Sequence, residues 1–182
     1  TLWAHIDLKL AFYTERCVSD FHRILYSQKL LAHQDFNQLH KECLEFIKTS
    51  VENSTAKTKI VVTHHVPSQV LMSKEFSGSL INGAFVVELG EYIENSGIDF
   101  WIYGHSHRNI DCQIGKTLCL SNQLGYIKGN EHNSFDNGKY IVKIPLFVGN
   151  MAVSGSTRMQ VTTVELLAAG AALEVAANRW LQ

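Results

Sequence analysis

Between Ala32 and Ile47 the apolar positions Phe36, Leu39, Cys43, Phe46 and Ile47 recur at intervals of three and four, which predicts an amphipathic helix with one buried face. The pattern then changes. Lys59-Ile60-Val61-Val62-Thr63 is a short β-branched run ending at His64-His65-Val66-Pro67, the signature of a buried strand that opens into a loop. A helix is expected over Phe85 to Ile93, stopped near Gly97, and Asp99-Phe100-Trp101-Ile102-Tyr103 reads as a second buried strand, interrupted at Gly104-His105-Ser106-His107. Segments Ile110 to Ile114 and Thr117 to Ser121 flank Gly115-Lys116, where glycine at the first central position suits a type II′ hairpin. A meander of short strands is expected to continue to about Val148. At Gly149 the chain turns small and polar, and an Ala-rich helix is expected from about Thr162 to Leu181. The fold class is α/β.

Composition narrows the functions available. The chain has 182 residues, 46% of them hydrophobic and 18% charged, with 12 Gly and 2 Pro, enough apolar side chain to bury a core and too little Gly and Pro for disorder or a collagen-like repeat. A formal charge of -1 supplies no electrostatic footprint for nucleic acid or for an anionic membrane. The apolar stretch Val161 to Leu181 carries Glu165, Glu174, Asn178 and Arg179, which argue against a membrane span. Thr1-Leu2-Trp3-Ala4-His5 has neither a basic n-region nor an apolar h-region, so no signal peptide is expected, and it reads as chain cut from something longer. Cys17, Cys43, Cys112 and Cys119 form no C-x-x-C pair, and a reducing cytoplasm is the expected compartment. A hairpin turn at Gly115-Lys116 sets Cys112 opposite Cys119 as a hydrogen-bonded pair; the wider side-chain spacing of such pairs and the reducing compartment argue against a disulfide.

Candidate chemistry concentrates in the histidines, of which there are nine. His5, His22, His33, His40 and His132 read as surface or packing residues. His64 and His65 leave one predicted strand while His105 and His107 leave another, and the ends of adjacent strands in an open α/β sheet converge on one crevice. In an extended segment His105 and His107, two apart, share a face, and Gly104 lets the backbone turn there. Neutral imidazole is a common ligand for divalent transition metals. Histidines merely hydrogen-bonded in loops are the alternative.

The segments Val61-Val62-Thr63-His64-His65-Val66-Pro67-Ser68 and Tyr103-Gly104-His105-Ser106-His107 resemble the last two motifs of calcineurin-like metallophosphoesterases. Thr1-Leu2-Trp3, Asp20-Phe21-His22-Arg23-Ile24, Leu39-His40-Lys41-Glu42-Cys43, Ala84-Phe85, Asp99-Phe100-Trp101-Ile102 and Asn122-Gln123-Leu124-Gly125-Tyr126 look like the compact bacterial branch of that family. The resemblance covers residues 1–142 and implies a partial two-sheet sandwich flanked by helices, with a dinuclear metal centre at the strand ends. It implies His64 and His105 as ligands of one divalent ion (Mn, Fe, Zn or Co), His107 as ligand of the other, and His65 as a neighbour that contacts substrate or orients a ligand. Two such ions hold a bridging hydroxide and stabilise both the attacking and the leaving oxygen of a phosphoester, a phosphodiester foremost.

The family's earlier motifs, D-x-H, G-D and G-N-H-E or G-N-H-D, precede the Thr-Leu-Trp segment and are absent here; Asp20-Phe21-His22 spells D-x-H inside a helical stretch and is set aside. Three imidazoles alone hold at most one ion, unless Asp99, Asp111 or a partner chain adds an oxygen ligand. The expected partners are therefore the phosphoester substrate and either a missing N-terminal half or a partner chain.

Past a junction at residues 143–150, Ser154-Gly155-Ser156-Thr157-Arg158-Met159 resembles the G-S-T-R segment of sugar-isomerase-type (SIS) domains of the N-acetylmuramic acid 6-phosphate etherase type, and residues 151–182 are expected to be a fragment of one. The resemblance implies phosphate binding through Ser154, Ser156, Thr157 and Arg158 at a helix start. An ordinary helix capped by Ser156 or Thr157 is the plainer reading. Three functions thus stand beside one another: a phosphoesterase half, a non-catalytic α/β module, and a sugar-phosphate binder.

Overall fold

Leu2, Ala4 and Ile6 are fully buried while Trp3, His5 and Asp7 between them are not, the alternation of an extended segment laid on a core. The computed structural model describes residues 2–136, and across them this segment carries no sheet ladder. Side chains satisfy its backbone instead. His65 Nδ1 donates to the Leu2 carbonyl (2.9 Å), His40 Nδ1 to the Trp3 carbonyl (2.7 Å) and Asn37 Nδ2 to the Ile6 carbonyl (2.9 Å), while the Ile6 N–H donates to Asn37 Oδ1 (2.8 Å). Replacing Asn37 by alanine strands both polar groups of a fully buried residue, and each unsatisfied group costs roughly 1–3 kcal/mol. A loss of about 2–3 kcal/mol in urea-unfolding stability is expected.

Helices α1 (Ala11–Cys17) and α2 (Asp20–Arg23) lead into a two-stranded hairpin, β1 (Leu25–Tyr26) and β2 (Lys29–Leu30). Helix α3 (His33–Asn53) follows, running six residues past Ile47, where its apolar period ends. It buries Phe36, Ile47 and Val51, packs Leu39 and Cys43 against the core, and leaves Phe46, at the edge of the stripe, exposed. Asp35 in its first turn accepts from the Ala32 N–H (3.2 Å), tying down a helix start that has no capping side chain of its own.

The second sheet has the order β3-β4-β6-β5, built from β3 (Ile60–Val62), β4 (Phe100–Ile102), β5 (Cys112–Ile114) and β6 (Thr117–Leu120). β3 and β6 both run parallel to β4, and β5 pairs antiparallel with β6. Trp101, at the centre of β4, is fully buried, and its indole N–H donates to Thr63 Oγ1 (3.0 Å) at the end of β3. The described residues thus form a mixed α/β fold with two sheets and four helices. No helix among them is long and apolar enough to cross a membrane.

The hairpin behaves as its sequence predicts. Gly115 takes φ of 58°, Lys116 stays out of the positive region, and Cys112 pairs across from Cys119. Both thiols are free.

Two expectations are corrected. The stretch from Phe85 is not helical: Val86 bridges Val66 in parallel, with Val66 N–H donating to the Phe85 carbonyl (3.0 Å) and Val87 N–H to the Val66 carbonyl (3.0 Å). Adjacent β-branched valines favour that extended pairing, and only Gly90–Asn95 forms a helix, α4. Nor does the expected meander continue between Leu120 and residue 136, the last one described. After Leu120 the described chain turns through short 3-10 segments at Ile127–Gly129 and Glu131–Ser134, because left-handed Gly125 (φ 63°) and Asn130 (φ 57°) break an extended course. The expected strands past residue 136, the junction at 143–150, the Ala-rich helix, and Ser154, Ser156, Thr157 and Arg158 lie outside the described residues.

Candidate functional site

Because β3 and β4 are parallel neighbours in register, with Val62 opposite Ile102, the residues that leave their C-terminal ends leave side by side. Gly104 N–H donates to the His64 carbonyl (3.0 Å), continuing the ladder one step past the strands and bringing the two histidine loops together. His105 Nδ1 then lies 2.9 Å from His64 Nε2, with the ring centroids 4.7 Å apart. The His65 ring sits 4.3 Å from that of His105, and Phe85 stacks on His105 at 4.8 Å.

The backbone that achieves this is not extended. His105 (φ 73°) and His107 (φ 53°) both adopt the left-handed region, where side chains other than glycine's are uncommon and sites store strain. The turning role expected of Gly104 therefore falls to the histidines. A Cβ on Gly104 would meet nothing closer than the His64 carbonyl at 3.5 Å, an ordinary contact. Nor do His105 and His107 share a surface by strand alternation. His105 packs inward on His64, His65 and Phe85, whereas His107 turns to Glu131, whose Oε2 accepts from its Nδ1 (2.8 Å), with the Tyr126 ring edge-on at 4.6 Å.

Each of the inner imidazoles is kept neutral. Complete burial, reinforced by His105 and His64, holds the His65 pKa well below the ordinary value. Burial, then His64 and His107, pushes His105 down to about 3. His64 reaches solvent, yet the protein packed around its ring and the nearby His107 lower it too. Crowded imidazoles shed protons, and neutral imidazole is the ligating form. Since a carbonyl only accepts, His65 carries its proton on Nδ1 toward Leu2 and its lone pair on Nε2. That Nε2 and the Nε2 of His105 are buried without a hydrogen-bond partner.

The residues singled out by sequence are placed as follows. His64, His65 and His105 form one ring cluster, and His107 stands beside it. His65, at 2% exposure, is wedged against Trp3 (5.4 Å) and Phe36 (5.7 Å). Asp99 sits at the opposite end of the strands, where its Oδ2 accepts from the Lys59 N–H (2.7 Å). Asp111 accepts from the Ser121 N–H (3.2 Å) on the hairpin side. Asp20 and His22 are helical, as expected of that stretch, and His22 Nε2 approaches the Arg16 carbonyl (3.3 Å).

The carboxylate at the site is Glu131, which sequence reasoning missed; it lies 24 residues beyond His107 and no motif flags it. Gln123 was missed as well. Its Oε1 accepts from the His107 N–H (2.7 Å) and its Nε2 donates to the Arg108 carbonyl (2.8 Å), fixing the loop that carries His105 and His107.

Whether a metal fits can be judged from the donors. The 2.9 Å between His64 Nε2 and His105 Nδ1 is a hydrogen-bond distance; it is also about the spacing of two adjacent donors on an octahedral ion at ~2.1 Å and shorter than the roughly 3.4 Å of a tetrahedral one. Among the described residues, however, no three His, Cys, Asp or Glu side chains converge as a metal-holding group. The donors fit two positions on one ion and do not by themselves fit a dinuclear centre.

In comparisons with known proteins, no family model and no solved structure matches the chain. It is similar to an uncharacterized protein of Acanthamoeba polyphaga mimivirus, 30% identical over 165 residues that cover 83% of this chain and 56% of the viral one. The chain spans little more than half the length of that relative.

Proposed function

We infer that residues 2–136 are the histidine-bearing part of a metal-dependent phosphoester hydrolase of the calcineurin-like type, with a partial two-sheet sandwich as its fold. The observation that carries this reading is the meeting of His64 Nε2 and His105 Nδ1 at 2.9 Å where two parallel strands end. Left-handed backbone at His105 and His107 supports it, since strain of that kind collects at functional sites. His64 and His105 would hold one divalent ion (Mn, Fe, Zn or Co), and His107 would serve a second, with carboxylate ligands supplied by chain outside the described residues or by a partner. Metal bound there would polarise the phosphoryl group and lower the pKa of a bound water. This chain's own contribution is to present neutral imidazoles in fixed orientation, His65 bracing His105 from behind. The absence of a converging three-donor group among the described residues favours a second reading, a non-catalytic α/β module.

Elemental analysis of protein purified without chelators separates the two. About one equivalent or more of transition metal per chain is expected, lost in His105→Ala/His107→Ala; hydrolysis of a chromogenic phosphodiester by the full-length protein should follow the metal. A parent protein free of metal, or a double variant that keeps it, sinks the hydrolase reading and leaves the module.

A further inference from the structure

His107 is held more tightly than a loop histidine needs to be. Glu131 Oε2 accepts both from His107 Nδ1 (2.8 Å) and from the Tyr126 N–H (2.6 Å). Its other oxygen lies 3.7 Å from the Arg108 guanidinium, which is anchored in turn by Glu75 and by the His107 carbonyl (3.0 Å). The chain also makes room for this carboxylate. Gly125 takes φ of 63°, and a Cβ there would come within 2.6 Å of Glu131 Cβ and 2.9 Å of its Oε2. Left-handed Asn130 feeds Glu131 into the site from its far side.

We propose that Glu131 is the positioning residue of His107, fixing its imidazole with the proton on Nδ1 so that Nε2 carries the lone pair. An ionised carboxylate can only accept, so the shared proton has to come from the ring. Carboxylate partners of this kind fix tautomer and orientation in ligating histidines, and their loss typically lowers metal affinity 10–100-fold. The consequence for metal rests on His107 being a ligand; the tautomer does not.

The test is the tautomer, read from long-range proton–nitrogen NMR correlations of the 15N-labelled full chain, metal-free, at mildly alkaline pH. His107 should show the Nδ1–H form in the parent, keep it in Glu131→Gln, whose side-chain oxygen still accepts, and shift to the Nε2–H form or a mixture in Glu131→Leu. An Nε2–H or doubly protonated His107 in the parent overturns the proposal, as does an unchanged pattern in Glu131→Leu. Should the leucine variant not fold, Glu131→Asp, which withdraws the carboxylate by one methylene, faces the same two outcomes. Zinc titration then reads the consequence: a 10–100-fold weaker Kd in Glu131→Leu with Glu131→Gln near the parent. A parent that takes no zinc overturns the metal reading while the tautomer result stands.

Discussion

Trp101→Ala is expected to cost about 4–5 kcal/mol of folding stability, the upper range for removing a fully buried large aromatic. Two terms combine. The indole stands off the central strand β4 into the core cluster that holds Leu2, Ile47 and Val51, so its loss leaves a cavity that elements fixed by their own contacts only partly fill. Its N–H also donates to Thr63 Oγ1, whose hydroxyl donates onward to the His65 carbonyl (3.1 Å). Trp101→Phe separates the terms: most of the volume stays, the N–H goes, and a loss nearer 1–2 kcal/mol is expected. Because the chain from Trp101 to Thr63 to His65 ends in the histidine loop, the phenylalanine variant should also disturb the His64 and His65 ring signals while leaving the α1 region unmoved. Guanidinium unfolding and ring NMR of both variants measure this. A cost under about 1 kcal/mol for the alanine variant would mean that β4 is not the centre of the core.

Much of this core was legible from period and punctuation alone. Ile60 to Val62 and Phe100 to Ile102 are continuous apolar runs, as strands buried on both faces require, and Gly115-Lys116 fixes the register that sets Cys112 opposite Cys119. What escaped has identifiable causes. The hairpin at residues 25–30 turns on Ser27 (φ 49°) and Gln28 (φ 65°), residue types that carry no left-handed signal. The last turns of α3, Lys48 to Asn53, hold only Val51 as an apolar residue, so the period fades before the helix does. Phe85 to Leu89 has apolar residues dense enough to suit either period, and its pairing partner, Val66, is a tertiary fact.

At the site, the meeting of the two histidine loops follows from two adjacent strands ending in histidines, whereas the way their side chains are disposed does not. Sequence periodicity assigns His105 and His107 to one face of an extended segment; the actual left-handed residues send them apart, one toward His64 and one toward Glu131. Glu131 and Gln123 were out of reach because each acts through a contact made across a turn, with no spacing rule linking it to the motif it serves. Asp99 and Asp111 looked available because they are acidic and near in sequence. Each is instead held by a backbone N–H that it satisfies.

Acid should unfold the metal-free protein through these same histidines. The native pKa of His105 is about 3 against an ordinary 6.5, and those of His64 and His65 are lowered as well. Below pH ~6.5 the unfolded chain binds protons that the native rings refuse, so stability is full above that pH and falls as pH drops toward 3. Below about 3 His105 is protonated in both states and its contribution to the slope ends. Through the middle of that window one refused proton gives a slope of about 1.4 kcal/mol per pH unit, and the summed loss reaches several kcal/mol, less where solvent screens the half-exposed ring edges. His105→Asn removes one of these sites and relieves its like-charged neighbours. Its stability plotted against pH should therefore be flatter by close to that one-proton slope between pH 6 and 4, whatever the substitution costs at neutral pH. Urea midpoints across the range, with chelator present, decide the matter: parallel curves for parent and variant would mean that His105 is not held neutral by the cluster around it.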